Sequence, residues 1–321
     1  MKKLFVVSLV LVLALGSVFA QGASESSKKL TVGICQLVQH PALDAATQGF
    51  KDALIEGIGA ENVNIDEQNA SGEPANCATI INGFVAKNVD LILANATPAL
   101  QAAASATSTI PVLGTSITDY ASALDITGWT GTVGTNVSGT SDLAPLAEQA
   151  DMIKELFPSA KKVGILFCSS EANSVYQVEE MEKYLASLSI ETERFSFTDT
   201  NGVASVAQKA ADSSDVIYIP TDNTAASNTE AIANVVIPAK VPVVAGEEGI
   251  CQGCGAVTLS ISYYDLGCAT GEMAYKILTG EADIATMPVE FAPNVTKKYN
   301  VANCEALGIT VPSDYEAIAT E

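Results

Sequence analysis

The chain has 321 residues, of which 48% are hydrophobic and 17% charged, and its formal net charge is −21. The length suits two domains, and the composition suits sizeable cores and excludes a disordered chain. The acidic balance counts against nucleic acid or an anionic lipid surface as a partner, since both need clustered Lys and Arg; its plainer reading is solubility.

In chain order, the first feature is a targeting pattern. Lys2 and Lys3 precede an apolar stretch over 4–15, and Val18-Phe19-Ala20 sets up a cut after Ala20, making 1–20 a signal peptide and 21–29 a polar linker. The apolar stretch is short for a membrane span, no cysteine follows it to carry a lipid, and no later segment is apolar enough to span a bilayer. The expectation is a secreted or periplasmic soluble protein.

A strand is predicted over 30–35, then a loop through Gln36, His40 and Pro41. Leu43, Ala46, Phe50 and Leu54 recur at helical spacing. A strand over 63–66, a polar loop over 68–74 and a helix marked by Ile80, Ile81, Phe84 and Val85 follow. The apolar run 90–94 is a strand, with Thr97 as the cap of the next helix and Pro98 at its first position. Strands are predicted over 110–113 and 132–136, and the Gly-, Ser- and Thr-rich stretch 136–142 reads as a passage into a second lobe.

That lobe repeats the pattern. Strands are predicted over 163–167, 192–197, 216–219 and 241–245, with a helix face of Val175, Val178, Met181, Leu185 and Leu188 and another of Val203, Val206 and Ala210. Asp222, Asn223 and Thr224 stand where the strand 216–219 gives way to a helix. Val32-Gly33-Ile34 recurs as Val163-Gly164-Ile165, the strand after Asp90 as that after Asp215, and Ile110-Pro111-Val112 as Val241-Pro242-Val243, each about 130 residues on. Three ordered matches point to two α/β halves of one type, with parallel sheets and right-handed crossovers. Ligands of such sheets bind at the carboxyl ends of the strands.

The tail holds a strand over 257–262, a helix with Leu266, Met273 and Ile277 stopped by Gly280, and a short strand over 289–291. It is too small for its own core, so the chain is expected to cross between the lobes more than once. Seven cysteines remain, with Cys251 and Cys254 the only close pair. Three readings are open: a local disulfide or a pair of thiols without function in a flexible turn, buried structural thiols, or a metal or redox pair. A metal role lacks ligands, because there is no second C-x-x-C and His40 is the sole histidine.

Five strings carry a resemblance: Gln36-Leu-Val-Gln-His-Pro-Ala-Leu-Asp44, Ala94-Asn-Ala-Thr-Pro98, Asn136-Val-Ser-Gly-Thr-Ser-Asp142, Ser170-Glu-Ala-Asn-Ser174 and Pro220-Thr-Asp-Asn-Thr224. Over about residues 30–295 the chain resembles the ABC-transporter substrate-binding family that includes tryptophan- and phenylalanine-binding proteins. The resemblance implies a type I periplasmic-binding-protein fold: two Rossmann-like lobes, a multi-strand hinge with three crossovers, and a ligand in the cleft. The lobes are expected to be 30–140 with about 262–288, and about 141–261 with 289–321. Cys251-Gln-Gly-Cys254 departs from the family pattern.

An amino-acid ligand brings a carboxylate and an ammonium, and both need partners in a closed cleft. The helix start at Thr97, with Ser116, is expected to meet the carboxylate. Asp222 and Glu171 are expected to meet the ammonium, with Asn173, Ser174, Asn223, His40 and Glu247 as further cleft polars. Each has a plainer role as cap, turn former or solvated charge, and Asp119 and Asp142 read equally as cleft or hinge residues. Resemblance points to an aromatic ligand, with Tyr120, Trp129 and Tyr176 as candidate walls; another small amino acid or polar solute is the alternative.

No cofactor and no catalytic residue is expected, since no G-x-G-x-x-G, P-loop or G-x-S-x-G occurs. An enzyme on the same lobes is the competing class, and a sensor module a third. The expected partner is a membrane permease, and the expected state a monomer.

Overall fold

The structure, a computed structural model, describes residues 29–292 and 294–319. The expected signal peptide and nearly all of the linker lie outside the described residues. The first lobe runs β1 (Leu30–Gln36), α1 (Pro41–Ile58), β2 (Val63–Asn69), α2 (Pro74–Lys87), β3 (Leu91–Asn95), α3 (Thr97–Ala106), β4 (Val112–Ile117), the short α4 (Tyr120–Ala123) and β5 (Val137–Ser141). The second runs α5 (Leu146–Leu156), β6 (Lys162–Cys168), α6 (Ala172–Ser187), β7 (Glu191–Phe197), α7 (Val203–Ser213), β8 (Val216–Ile219), α8 (Asn223–Ala226), α9 (Thr229–Val236), β9 (Val243–Ala245), α10 (Glu248–Gly253) and β10 (Val257–Ile261). The tail adds α11 (Tyr263–Leu278), β11 (Glu290–Phe291), β12 (Val295–Tyr299), α12 (Val301–Leu307) and β13 (Glu316–Ala317).

The strand order is β11-β5-β4-β3-β1-β2 in one sheet and β13-β12-β10-β9-β8-β6-β7 in the other. Stripped of the tail strands, both read fifth-fourth-third-first-second, and both are parallel. The halves are therefore two copies of one design, as the repeated strings predict. Central strands are buried along their whole length, β3 and β8 among them, which is why they read as unbroken apolar runs.

Three expectations are corrected. The fifth strand is Val137–Ser141, not 132–136, so the stretch read as a passage is a buried strand. Its small residues fit a crowded place: Gly139 has φ 140°, a Cβ there would lie 2.0 Å from the Gly114 carbonyl oxygen, and Thr140 bonds Thr270 of α11 at 2.8 Å. Glu290–Phe291 pairs with Thr140 and Ser141 in the first sheet, not in the second lobe as expected of 289–321. The chain thus changes sheet after β5, after β10 and between β11 and β12. Cys251 and Cys254 lie on and just after α10, not in a flexible turn. Neither is in a disulfide: both are free, buried thiols in the second-lobe core, and Cys254 donates to the Ile250 carbonyl at 3.4 Å.

The second crossover is anchored by helix packing. α11 lies on α1 of the first lobe through three glycines. A Cβ on Gly49 would sit 2.1 Å from the Tyr264 carbonyl oxygen, and one on Gly267 2.0 Å from that of Ala46; one on Gly271 would crowd Phe50. Small residues let the two backbones approach, and the approach fixes where Tyr263 leaves the second sheet. Among the described residues no helix is long and apolar enough to cross a membrane.

Candidate functional site

The carboxyl ends of both sheets face each other, and the strand-end loops enclose a buried cavity. The first lobe supplies His40, Leu43, Ser116 and Thr118; the second supplies Asn173, Thr221, Asp222, Asn223, Ala226 and Glu247. Asp142 and Tyr263, on the first two crossovers, complete the wall. The two lobes touch across it. His40 Nε2 lies 3.3 Å from Asn223 Oδ1, Thr118 Oγ1 lies 3.4 Å from Thr221 Oγ1, and Gln177 Nε2 donates to Thr118 at 3.4 Å. This is a closed arrangement.

Each acid is placed by a local rule. Asp222 follows the end of β8 and caps α8, accepting from Ala225 N at 2.8 Å; its other oxygen accepts from Cys168 N at 2.6 Å and Ser174 Oγ at 2.7 Å. Glu247 caps α10, accepting from the amides of Gly249 and Ile250. Asp142 accepts from Thr118 Oγ1 at 3.1 Å and Tyr263 OH at 2.8 Å. Burial pushes the Glu247 carboxyl up to about 7 against the pull of its two amides. Burial likewise raises Asp142, and burial with the Glu171 charge raises Asp222.

Three cavity atoms have no partner among the described residues: His40 Nδ1, Ser116 Oγ and Asn173 Oδ1. The Asn223 amide nitrogen donates to Glu171 at 2.7 Å, so its oxygen must accept from His40 Nε2–H. Burial holds His40 below its ordinary pKa, which favours the neutral ring and leaves Nδ1 a bare acceptor. Ser116 is held in a left-handed conformation, φ 57°, at the end of β4. The cavity therefore presents carboxylates, an imidazole lone pair and an amide oxygen, with no Lys or Arg in its wall. Such a set receives a group rich in N–H donors. Among the described residues no group of three His, Cys, Asp or Glu is placed to hold a metal ion.

The structure brings His40, Ser116, Asn173, Asp222, Asn223 and Glu247 into this wall and leaves three predicted residues out. Thr97 is not a cap: Ala96, at φ 89°, holds that position and Thr97 is the first helical residue, buried outside the cavity lining. Glu171 sits behind the wall. Its carboxylate accepts from Asn223 N at 3.0 Å, Asn223 Nδ2 at 2.7 Å, Thr224 N at 2.8 Å and Thr224 Oγ1 at 2.7 Å, so it clamps the start of α8. Ser174 is also behind, donating to Asp222. The aromatic candidates lie elsewhere. Tyr120 stacks on Trp129 at 6.4 Å in the first-lobe core and Tyr176 is half-buried outside the wall. Sequence reasoning missed Thr118, Thr221 and Tyr263. The one signal for Tyr263 was its place directly after the predicted strand 257–262.

Two duplicated α/β lobes, three crossovers and a cavity between opposed strand ends define a type I periplasmic binding protein. The chain belongs to the ABC transporter substrate binding protein family, whose model matches residues 31–321. It is 35% identical over 269 residues to a tyrosine-binding protein of Clostridioides difficile, covering 83% of this chain and 77% of that protein. A Streptococcus pneumonia ABC domain in complex with L-Trp superposes with a TM-score of 0.86 at 34% identity, covering 91% of this chain and 100% of that one. A ligand-free, open substrate-binding protein with adhesive properties from Clostridium difficile, at 35% identity and the same coverage, reaches 0.70. Identity is nearly equal in the two solved structures, so the gap between the scores accords with the closed arrangement of the lobes here.

Proposed function

We propose that this protein captures an amino acid between its lobes, with the ammonium in the acid-lined cavity, and delivers it to an ABC permease. The observation that carries this reading is the buried set of Asp142, Asp222 and Glu247 with the unpaired His40 Nδ1 and Asn173 Oδ1. A buried carboxylate without a counter-charge is costly, and an ammonium is the compact group that satisfies several acceptors at once. Asp142, Glu247 and Asn173 Oδ1 take the ammonium. The Ser116 hydroxyl, still free to donate, meets the carboxylate. Asp222, braced by three donors, shapes the second-lobe wall, and Asn223 with His40 closes the cleft.

The tyrosine-binding and L-Trp-bound relatives favour an aromatic ligand. The moving bodies in this reading are 30–140 with 262–291 and 141–261 with 294–319, joined by the three crossovers. Binding as a monomer, export after cleavage at Ala20 and a purely non-catalytic role belong to the same reading. A thermal shift screen with the twenty amino acids tests it, because a ligand of the folded form raises the midpoint. Tyrosine, tryptophan or phenylalanine should stabilise; a flat response to all three rejects the aromatic assignment.

A further inference from the structure

Two cysteines that the ligand cavity does not use meet in the core of the first lobe. Cys35 lies on β1 and Cys77 in the first turn of α2. Both are fully buried in one apolar cluster, and their thiols hydrogen-bond to each other. The packing of the two elements accounts for the meeting. Gly33 and Cys35 point from one face of β1, and a Cβ on Gly33 would lie 2.6 Å from the ring of Phe84. Phe84 stands two turns beyond Cys77 on the same side of α2, so the helix runs back down the strand and sets Cys77 over Cys35. The flanking loops are already joined: Ala70 N donates to the Gln36 carbonyl at 2.9 Å and Gly72 N to that of Leu37 at 2.8 Å. Other cysteines are engaged elsewhere. Cys254 and Cys304 each donate to a carbonyl at 3.4 Å, Cys168 bonds Ser170 at 3.0 Å and Cys268 bonds Tyr264.

We propose that Cys35 and Cys77 are a disulfide site, closed as the first lobe folds in an oxidising medium and then sealed in its core. Disulfides persist outside the cytosol, so the role in the cell rests on the export in the reading above and not on the ligand. The oxidant is a small disulfide. The Cys77 thiolate attacks one of its sulfurs and expels the first thiol; Cys35 then loses its proton, attacks the Cys77 sulfur and expels the second. Two electrons and two protons thus pass to the oxidant, which leaves as two thiols. The contact lowers the Cys77 thiol and raises that of Cys35, which makes Cys77 the first to ionise. Both sulfurs are out of reach in the folded protein, so the exchange belongs to folding, before α2 closes over β1. The bridge closes a loop of about 40 residues, long enough to restrict the unfolded chain strongly.

The test refolds the purified protein from urea with oxidised glutathione or with dithiothreitol, blocks free thiols and maps tryptic peptides. Because it is made on purified protein, its result does not depend on where the cell places the chain. The oxidised sample should join peptide 30–51, which carries Cys35, to peptide 52–87, which carries Cys77. It should also melt at least about 5 °C above the reduced one. Cys77→Ala should abolish both the cross-link and the difference in melting. Peptides 30–51 and 52–87 left unjoined, or joined to other cysteines or to glutathione alone, overturn the proposal. So does a cross-link that leaves the midpoint unchanged, or a shift that survives in Cys77→Ala. Should that variant fail to fold, the peptide map of the wild-type protein decides.

Discussion

Tyr263 donates its hydroxyl to Asp142 Oδ2 at 2.8 Å, and the two residues stand on different crossovers between the lobes. Asp142 follows β5 and Tyr263 opens α11. The second Asp142 oxygen accepts from Thr118, which in turn meets Thr221 and Gln177 of the other lobe. One acid in the cavity wall is thus bonded to the segments about which the lobes turn. Removing its donor by Tyr263→Phe leaves a buried carboxylate short of a partner. The expected loss is about 1–3 kcal/mol of stability, read from urea unfolding of the ligand-free protein. An unchanged midpoint would contradict this tie.

Closure without ligand is expected to lean on the bond between His40 and Asn223, 183 residues apart in sequence. His40→Ala should shift the ligand-free population toward the open form. Small-angle scattering should then give a larger radius of gyration than for the wild-type protein, with the two converging at saturating ligand.

The raised acids predict a pH dependence with a definite sign. Glu247 rises in the folded protein from an ordinary 4.5 to about 7. Its contribution to ligand-free stability is therefore full below about 4.5 and is lost as the pH climbs through about 7. Asp142 and Asp222, raised by burial, act in the same direction. An ammonium ligand pairs with ionised carboxylates, so binding near pH 6.5 should release protons and affinity should grow toward pH 7.5. Calorimetry in two buffers of different ionisation heat measures the release; uptake of protons would have the wrong sign.

Glu171 is predicted to matter for folding more than for ligand contact. Its carboxylate holds two backbone amides and two side chains at the start of α8. Glu171→Ala should cost at least about 2 kcal/mol, with Glu171→Gln milder because one acceptor oxygen survives. Equal stability of all three proteins by urea unfolding would remove the clamp.

Much of this was legible before the structure. Apolar runs such as 216–219 mark buried parallel strands, and the acid after such a run marks a strand end that opens a helix, which is how Asp222 was found. Val137–Ser141 was not legible, because a strand of small polar residues looks like a turn until Gly114 and Thr270 are seen pressing on it. Thr97 was misplaced by one residue because Ala96 adopts a positive φ that its side chain does not advertise. Tyr263 became a site residue through a crossover and Thr118 through the meeting of the two lobes, and contacts 121 and 103 residues apart leave no local pattern.

The central claim is that the buried acids receive an ammonium. Titration calorimetry of L-tyrosine against 3-(4-hydroxyphenyl)propionate, the same molecule without its amino group, tests it most directly. The account predicts measurable binding of L-tyrosine and at least about 100-fold weaker binding of the analogue, a difference of about 2.7 kcal/mol. Equal affinities for the two would contradict it.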